Sequence, residues 1–150
     1  MIRKSAATGV AVAIGLTVFG GGAIGETRET APYLHAFEIA AESSFAEAFA
    51  ADPAFEALDD AQIRQRAKDA AKAFGACHML AMTAYSEQLQ NVAYGAVLAG
   101  GSYADAEQAF EQAISAQLEA GGDAARAVAR MMVDSIAIGR PCAEQAEGAL

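Results

Sequence analysis

The 40 residues from Asp60 to Ala99 constrain the fold of this chain more than any other part of its sequence. They contain no proline, and their apolar residues recur at intervals of three and four, which places those residues on one face of a helix. Asp59 and Gln62 have the spacing of a capping box, and Gly100 and Gly101 favour a helix end. The apolar positions are Ile63, Ala67, Ala70, Phe74, Cys77, Ala81, Tyr85, Leu89, Val92 and Ala96.

As one straight rod, this central helix has a length of about 60 Å. A compact domain of this chain length is only about 35–40 Å across. We therefore expect the helix to bend. The weakest positions for a helix lie near Gly75, near Gln90 and Asn91, and near Gly95.

Shorter amphipathic segments flank the central helix on both sides. Their predicted bounds are Ala31–Ala51, Tyr103–Ala120 and Ala124–Ile138. Pro53 ends the first segment, Ser102 and Asp105 cap the second, and Gly139 and Pro141 stop the third. The residues predicted to face inward are Leu34, Phe37, Ala41, Phe45 and Ala48, then Ala106, Phe110, Ala113, Ile114 and Leu118, then Val128, Met131, Met132, Ser135 and Ile136.

Composition supports a fully helical fold. About a quarter of the residues are alanine, which favours helix, and β-branched residues are sparse beyond the first 24 positions, which argues against a sheet. We predict an all-α bundle of about four main helices, in which residues 26–150 form a single domain. Its core is expected to be thin and closely packed, because alanine buries little area.

Residues 1–25 have the pattern of a signal peptide. Arg3 and Lys4 precede an apolar run from Val10 to Phe19, and three glycines then lead to a small-residue site that predicts cleavage after Gly25. The alternative is a retained membrane anchor, because residues 5–24 are uncharged and just long enough to span a bilayer. We favour cleavage, since the glycines make this segment weakly hydrophobic, and we expect the protein to be periplasmic or extracellular.

Cys77 and Cys142 are the only cysteines of the chain. A pair of cysteines in a small exported domain predicts a disulfide bond. A redox-active pair is the alternative, but such pairs are usually close in sequence, as in Cys-X-X-Cys, whereas these two are far apart.

Two short histidine motifs resemble parts of metal sites. His35 and Glu38 lie one helical turn apart, but a bundle metal site draws a matching pair of ligands from another helix, and the sequence offers none. Cys77, His78 and Met79, with Met82 one turn further, resemble a soft-ligand cluster for Cu(I), but a disulfide removes the thiolate. We therefore expect no metal and no cofactor.

Two further sets of residues are candidates for binding a partner. Arg64, Lys68 and Lys72 recur every four residues and form either an ordinary exposed helix face, with Arg64 paired to Asp60, or a docking stripe for an acidic partner. Four methionines either fill the core or line an adaptable apolar groove. They are Met79, Met82, Met131 and Met132.

The net charge of −9 argues against binding to nucleic acid or to anionic membranes. No catalytic motif is present, so we predict a non-enzymatic interaction protein of the inhibitor, immunity, chaperone or accessory type, with a protein partner. A membrane-anchored accessory subunit is the alternative if residues 5–24 are retained. A small metal- or redox-handling protein is the second alternative.

Overall fold

The computed structural model describes residues 30–149, and every regular element in that range is helical. Five α-helices pack together, and a single 3-10 turn, Pro53–Phe55, joins the first two. The helices are α1 (Thr30–Ala51), α2 (Asp60–Met82), α3 (Glu87–Leu98), α4 (Tyr103–Ala120) and α5 (Gly122–Ala149). The predicted all-α bundle is confirmed, whereas the predicted signal segment lies outside the described residues.

The predicted capping boxes begin α2 and α4. The Gln62 backbone N–H donates to Asp59 Oδ1 at 2.8 Å, and the Asp59 N–H donates back to the Gln62 side chain at 2.9 Å. Ser102 and Asp105 make the same reciprocal pair at the start of α4. Each box provides acceptors for backbone donors that have no partner in the first helical turn.

The apolar face predicted for residues 60–99 is confirmed, because none of its ten positions is exposed. The small residues of α2 allow α1 to approach closely. A Cβ atom at Gly75 would lie 2.9 Å from Leu34 Cδ1 and 3.3 Å from Glu38 Cγ, so a larger residue there would require the Leu34 side chain to shift.

The central stretch forms two helices, with a break at Thr83–Ser86 instead of at the three places we predicted for a bend. Polar side chains, and no glycine, make this turn. The Thr83 hydroxyl donates to the Leu80 carbonyl at 2.6 Å, and Ser86 Oγ accepts the Leu89 N–H at 3.4 Å as an N-cap. The Gln90 side chain donates to the Tyr85 carbonyl at 2.7 Å and closes the turn from the α3 side.

The last helix is longer than predicted, since α5 continues through Gly139 and Pro141 to Ala149. A Cβ atom at Gly139 would lie 3.0 Å from Ala81 Cβ, so this glycine serves close packing of α5 on α2 and does not end the helix. Proline inside a helix removes one backbone hydrogen bond. The disulfide at Cys142 holds the next residue of the helix against α2.

The core lies where α1 meets α2, α3 and α4, while α5 packs on α2 and α4. The largest cluster of buried residues is Tyr33, Met82, Ala93, Tyr94 and Ala106. Four residues predicted to face inward are exposed instead: Ala48, Leu118 at 42%, Met132 at 37% and Ile136 at 56%. In α5 the exposure follows from the rotation of the helix about its axis. Val128 and Ser135 face the core, and Ile136 is turned by about 100° from Ser135.

Among the helices of residues 30–149, none combines the length and the apolar character that a membrane-spanning helix needs.

Candidate functional site

The predicted disulfide between Cys77 and Cys142 is present and links α2 to α5. The two Cα atoms are 5.4 Å apart, and Cys77 is only 5% exposed. Because its sulfur is bonded, Cys77 has no thiolate to offer. The soft-ligand cluster considered for Cu(I) therefore lacks one of its ligands.

His78 instead forms a hydrogen bond with a residue of α1 that the sequence did not single out. The Tyr33 hydroxyl lies 2.8 Å from His78 Nε2, and the imidazole stacks on the Phe37 ring with centroids 4.5 Å apart and planes at 10°. Tyr94 and Tyr103 complete the cluster, with ring centroids 4.9 and 5.8 Å from that of Tyr33. We call these five residues the tyrosine cluster.

Burial keeps the central pair of this cluster uncharged. Desolvation lowers the pKa of His78 from 6.5 to about 4, so the imidazole is neutral at pH 7. Desolvation also raises the pKa of the Tyr33 hydroxyl, and the neighbouring Tyr103 raises it further. The two side chains thus form a neutral hydrogen bond across the α1–α2 interface.

An apolar cleft lies beside the disulfide, between α1, α2 and α5, and has a volume of about 240 Å³. We call it the His78 cleft, because the imidazole is the only polar side chain in its wall. It is lined by Phe37, Phe74, Cys77, His78, Ala81, Gly139 and Ala143. The second imidazole nitrogen, Nδ1, has no hydrogen-bond partner within residues 30–149 and is not fully enclosed.

The predicted basic stripe and the His35 motif meet in a second, smaller cleft of about 170 Å³ between α1 and α2. Lys68 and Lys72 line it together with His35, Glu38, Ile39, Glu42 and Ala71. The mixed charges reduce the basic character of the stripe, in which Arg64, Lys68 and Lys72 are all exposed. The expected Asp60–Arg64 ion pair is absent, and a partner for the stripe stays a prediction.

Residues 30–149 hold no group of three or more His, Cys, Asp or Glu side chains arranged to bind a metal ion. His35 and Glu38 therefore gain no further ligand from a neighbouring helix in this part of the chain.

The four methionines occupy different environments. Met82 is 3% exposed and belongs to the core, where Met79 packs against the same cluster. Met131 accepts the Ser86 N–H at its sulfur, at 3.3 Å, and Met132 is exposed at 37%. Core filling thus accounts for Met82. A groove formed by the other three stays a prediction.

A surface of α5 exposes large apolar side chains that the sequence had not marked as exposed. Met132, Val133 and Ile136 are 37%, 65% and 56% exposed. Together with Ala129 and Arg140 they recur at helical spacing along one face of α5. We call these five residues the α5 surface.

Comparison of the chain with protein-family models, with curated proteins and with solved structures finds no match in any of the three.

Proposed function

We propose that this protein is exported, has no catalytic activity of its own, and binds one amphipathic helix of a partner protein on the α5 surface. Export is supported by the signal-like pattern of residues 1–25 together with the disulfide, since disulfides persist in oxidising compartments. Binding is supported by the chemistry of α5.

The observation that carries the proposal is the concentration of exposed apolar residues on α5. Residues 30–149 expose eight large apolar side chains, and three of them, Met132, Val133 and Ile136, lie together on the α5 surface. Full burial of an aliphatic side chain contributes about 1.5–3 kcal/mol. Contiguous exposed apolar residues on a soluble domain usually mark an interaction surface.

The positive charge of Arg140 indicates the chemistry of the partner. Arg140 is exposed at one end of the α5 surface and has no carboxylate partner, because the single ion pair in residues 30–149 joins Arg126 to Asp123. The complementary ligand is a helix with an apolar stripe and a carboxylate that meets Arg140. From Ala129 to Arg140 the surface extends about 17 Å at 1.5 Å per residue, which matches a partner segment of about three turns.

The α5 surface is held rigidly from behind. Val128 is fully buried, Ser135 is 9% exposed and hydrogen-bonded to the Tyr85 hydroxyl at 3.1 Å, and Cys142 is covalently linked to α2. A preformed surface loses little conformational entropy when a partner binds.

Two designed 14-residue helical peptides test the proposal. Both carry a leucine stripe, and they differ only in a Glu or a Lys at the end that faces Arg140. We expect the Glu peptide to bind at least tenfold more tightly in fluorescence anisotropy, Ile136→Asp to abolish binding, and Arg140→Glu to reverse the preference. Ala127→Asp, at an exposed position on the opposite side of α5, is the matched control and should change neither affinity.

Equal affinities for the two peptides would contradict the proposal. So would a self-dimer of the wild-type protein that Ile136→Asp dissociates, because the surface would then serve a second copy. Binding to anionic vesicles that depends on Ile136 would assign the surface to lipid. The acidic net charge of −9 argues against that outcome.

The exported state has its own test. The mature protein isolated from its native source should begin at Glu26 and have a mass two hydrogens below that of the reduced chain. An intact Met1 in the membrane fraction would instead support the anchored form.

A further inference from the structure

The His78 cleft is separate from the α5 surface and has a chemistry of its own. Its walls are two phenylalanine rings, small side chains and the disulfide, with His78 as the only side chain that can form a hydrogen bond. The ring of Phe37 holds the imidazole in a fixed plane by stacking on it at 4.5 Å.

One nitrogen of this imidazole is already occupied. Nε2 is 2.8 Å from the Tyr33 hydroxyl, whereas Nδ1 has no hydrogen-bond partner within residues 30–149 and is the nitrogen available to a ligand. If Tyr33 donates to Nε2, Nδ1 carries the proton and donates. If Nε2 carries the proton and donates to Tyr33, Nδ1 accepts.

A hydroxyl group satisfies Nδ1 in both cases, because it is donor and acceptor at once. The apolar walls require the rest of the ligand to be uncharged, since no charged side chain lines the cleft to offset the lost hydration of an ion. A volume of about 240 Å³ exceeds the ~150 Å³ cavity that accommodates benzene, so a single substituted ring fits.

We propose that the His78 cleft binds a small, uncharged aromatic molecule that carries a hydroxyl group, a ligand of the phenol class. Its ring packs between Phe37, Phe74 and the disulfide, and its hydroxyl bonds to His78 Nδ1. Ala143 keeps the α5 side of the cleft open, because its side chain is only a methyl group, and Gly139 lets α5 pack closely on Ala81 beside it.

The first test uses p-cresol, toluene and benzoate as probes with the intact disulfide-bonded protein at pH 7. We expect p-cresol to shift the His78 Nδ1 resonance in nitrogen-15 NMR and to leave Nε2, which Tyr33 holds, nearly unchanged. Toluene should bind without moving Nδ1, and benzoate should not bind. Absence of any shift at Nδ1 on saturation with p-cresol would overturn the proposal.

Variants locate the site. Ala143→Leu fills the cleft from the α5 side while leaving His78 unsubstituted, and should weaken both neutral probes at least tenfold, whereas Ala127→Leu, on an exposed side of α5, should leave them unchanged. His78→Phe keeps a flat ring and removes the nitrogen. It should lower the ratio of p-cresol to toluene affinity about fivefold, as expected for one hydrogen bond.

Probes that bind Ala143→Leu as tightly as wild type would place any site elsewhere and overturn the proposal. An unchanged affinity ratio in folded His78→Phe would do the same. The NMR measurement decides the question in the wild-type protein if His78→Phe fails to fold, which circular dichroism reports.

Discussion

The two halves of α1 pack into different aromatic clusters, which differ in burial and in the number of helices that they join. Its N-terminal half carries Tyr33 into the tyrosine cluster, where Tyr33 is 3% exposed and hydrogen-bonded to α2. Its C-terminal half carries Phe45 and Phe49 into a cluster with Phe55 and Phe74, which we call the phenylalanine cluster. All four phenylalanines are only half-buried, and that cluster joins only α1, α2 and the turn between them.

The difference shows what holds this alanine-rich bundle together. The tyrosine cluster joins α1, α2, α3 and α4, and the disulfide ties α2 to α5 one residue before His78. Contacts that join many elements open only when the whole domain unfolds, whereas a half-buried helical tip opens locally at lower cost. We expect the tyrosine cluster to report global stability and the phenylalanine cluster to report local opening.

Loss of the disulfide should have the largest effect. The double variant Cys77→Ser/Cys142→Ser frees a loop with a sequence separation of 65 and should lower the free energy of unfolding by about 4 kcal/mol. Urea denaturation measures this value. A loss below about 1 kcal/mol would mean that the bond contributes little to the tyrosine-cluster end.

Acid should weaken the tyrosine cluster next. The pKa of His78 is lowered to about 4 in the folded protein, so the unfolded chain binds the proton first. The contribution of the neutral imidazole to the free energy of unfolding is fully present above pH 6.5. It decreases as the pH falls towards 4, by at most about 3 kcal/mol.

The check is the pH dependence of urea denaturation between pH 7 and pH 4. His78→Phe should remove most of this slope, and Phe49→Leu in the phenylalanine cluster should leave it intact. An identical slope in wild type and His78→Phe would show that other groups cause the acid sensitivity.

Matched substitutions compare the two clusters directly. Tyr33→Phe leaves the ring but deprives His78 of its hydrogen-bond partner, and should cost about 2 kcal/mol. Phe49→Leu, at a half-buried position, should cost about 1 kcal/mol. Thermal denaturation of both variants measures the difference, and a larger loss for Phe49→Leu would reverse our ranking of the two ends.

The smallest effect is expected at Arg66, beside the phenylalanine cluster. Its guanidinium lies 5.1 Å from the centre of the Phe55 ring, while its Nε atom is buried without a hydrogen-bond partner. Arg66→Met removes a cation–π contact and an unsatisfied polar atom together, so we expect stability to change by less than about 1 kcal/mol. A loss above 2 kcal/mol in calorimetry would show that Arg66 supports this end more than its contacts indicate.

Local signals made much of this fold predictable from the sequence. The capping boxes at Asp59 and Ser102 involve residues three positions apart, and the disulfide involves the only two cysteines. The break at Thr83–Ser86 was missed because hydroxyl side chains that bond to nearby backbone groups form it, with no glycine or proline to mark it.

Long-range contacts limited the rest. Helix α5 continues through Pro141, and the next residue, Cys142, is bonded to a cysteine 65 positions earlier in the chain. The periodicity of the sequence gives no information about a restraint between such distant residues. Tyr33, the hydrogen-bond partner of His78, is 45 residues away on α1, so the local sequence around either residue does not predict the tyrosine cluster. The exposure of Ile136 depends on which face of α5 meets α2 and α4, and only the packed bundle determines that face.

Native-state hydrogen exchange tests the central contrast most directly. Amides of residues 78–82 and 93–97, which lie in helical segments around the tyrosine cluster, should exchange only through global unfolding and should respond to urea with the full global slope. Amides of residues 46–51 and 62–66, at the phenylalanine-cluster end, should exchange earlier, by local opening that is insensitive to urea. Equal protection and equal urea dependence at both ends would contradict the account.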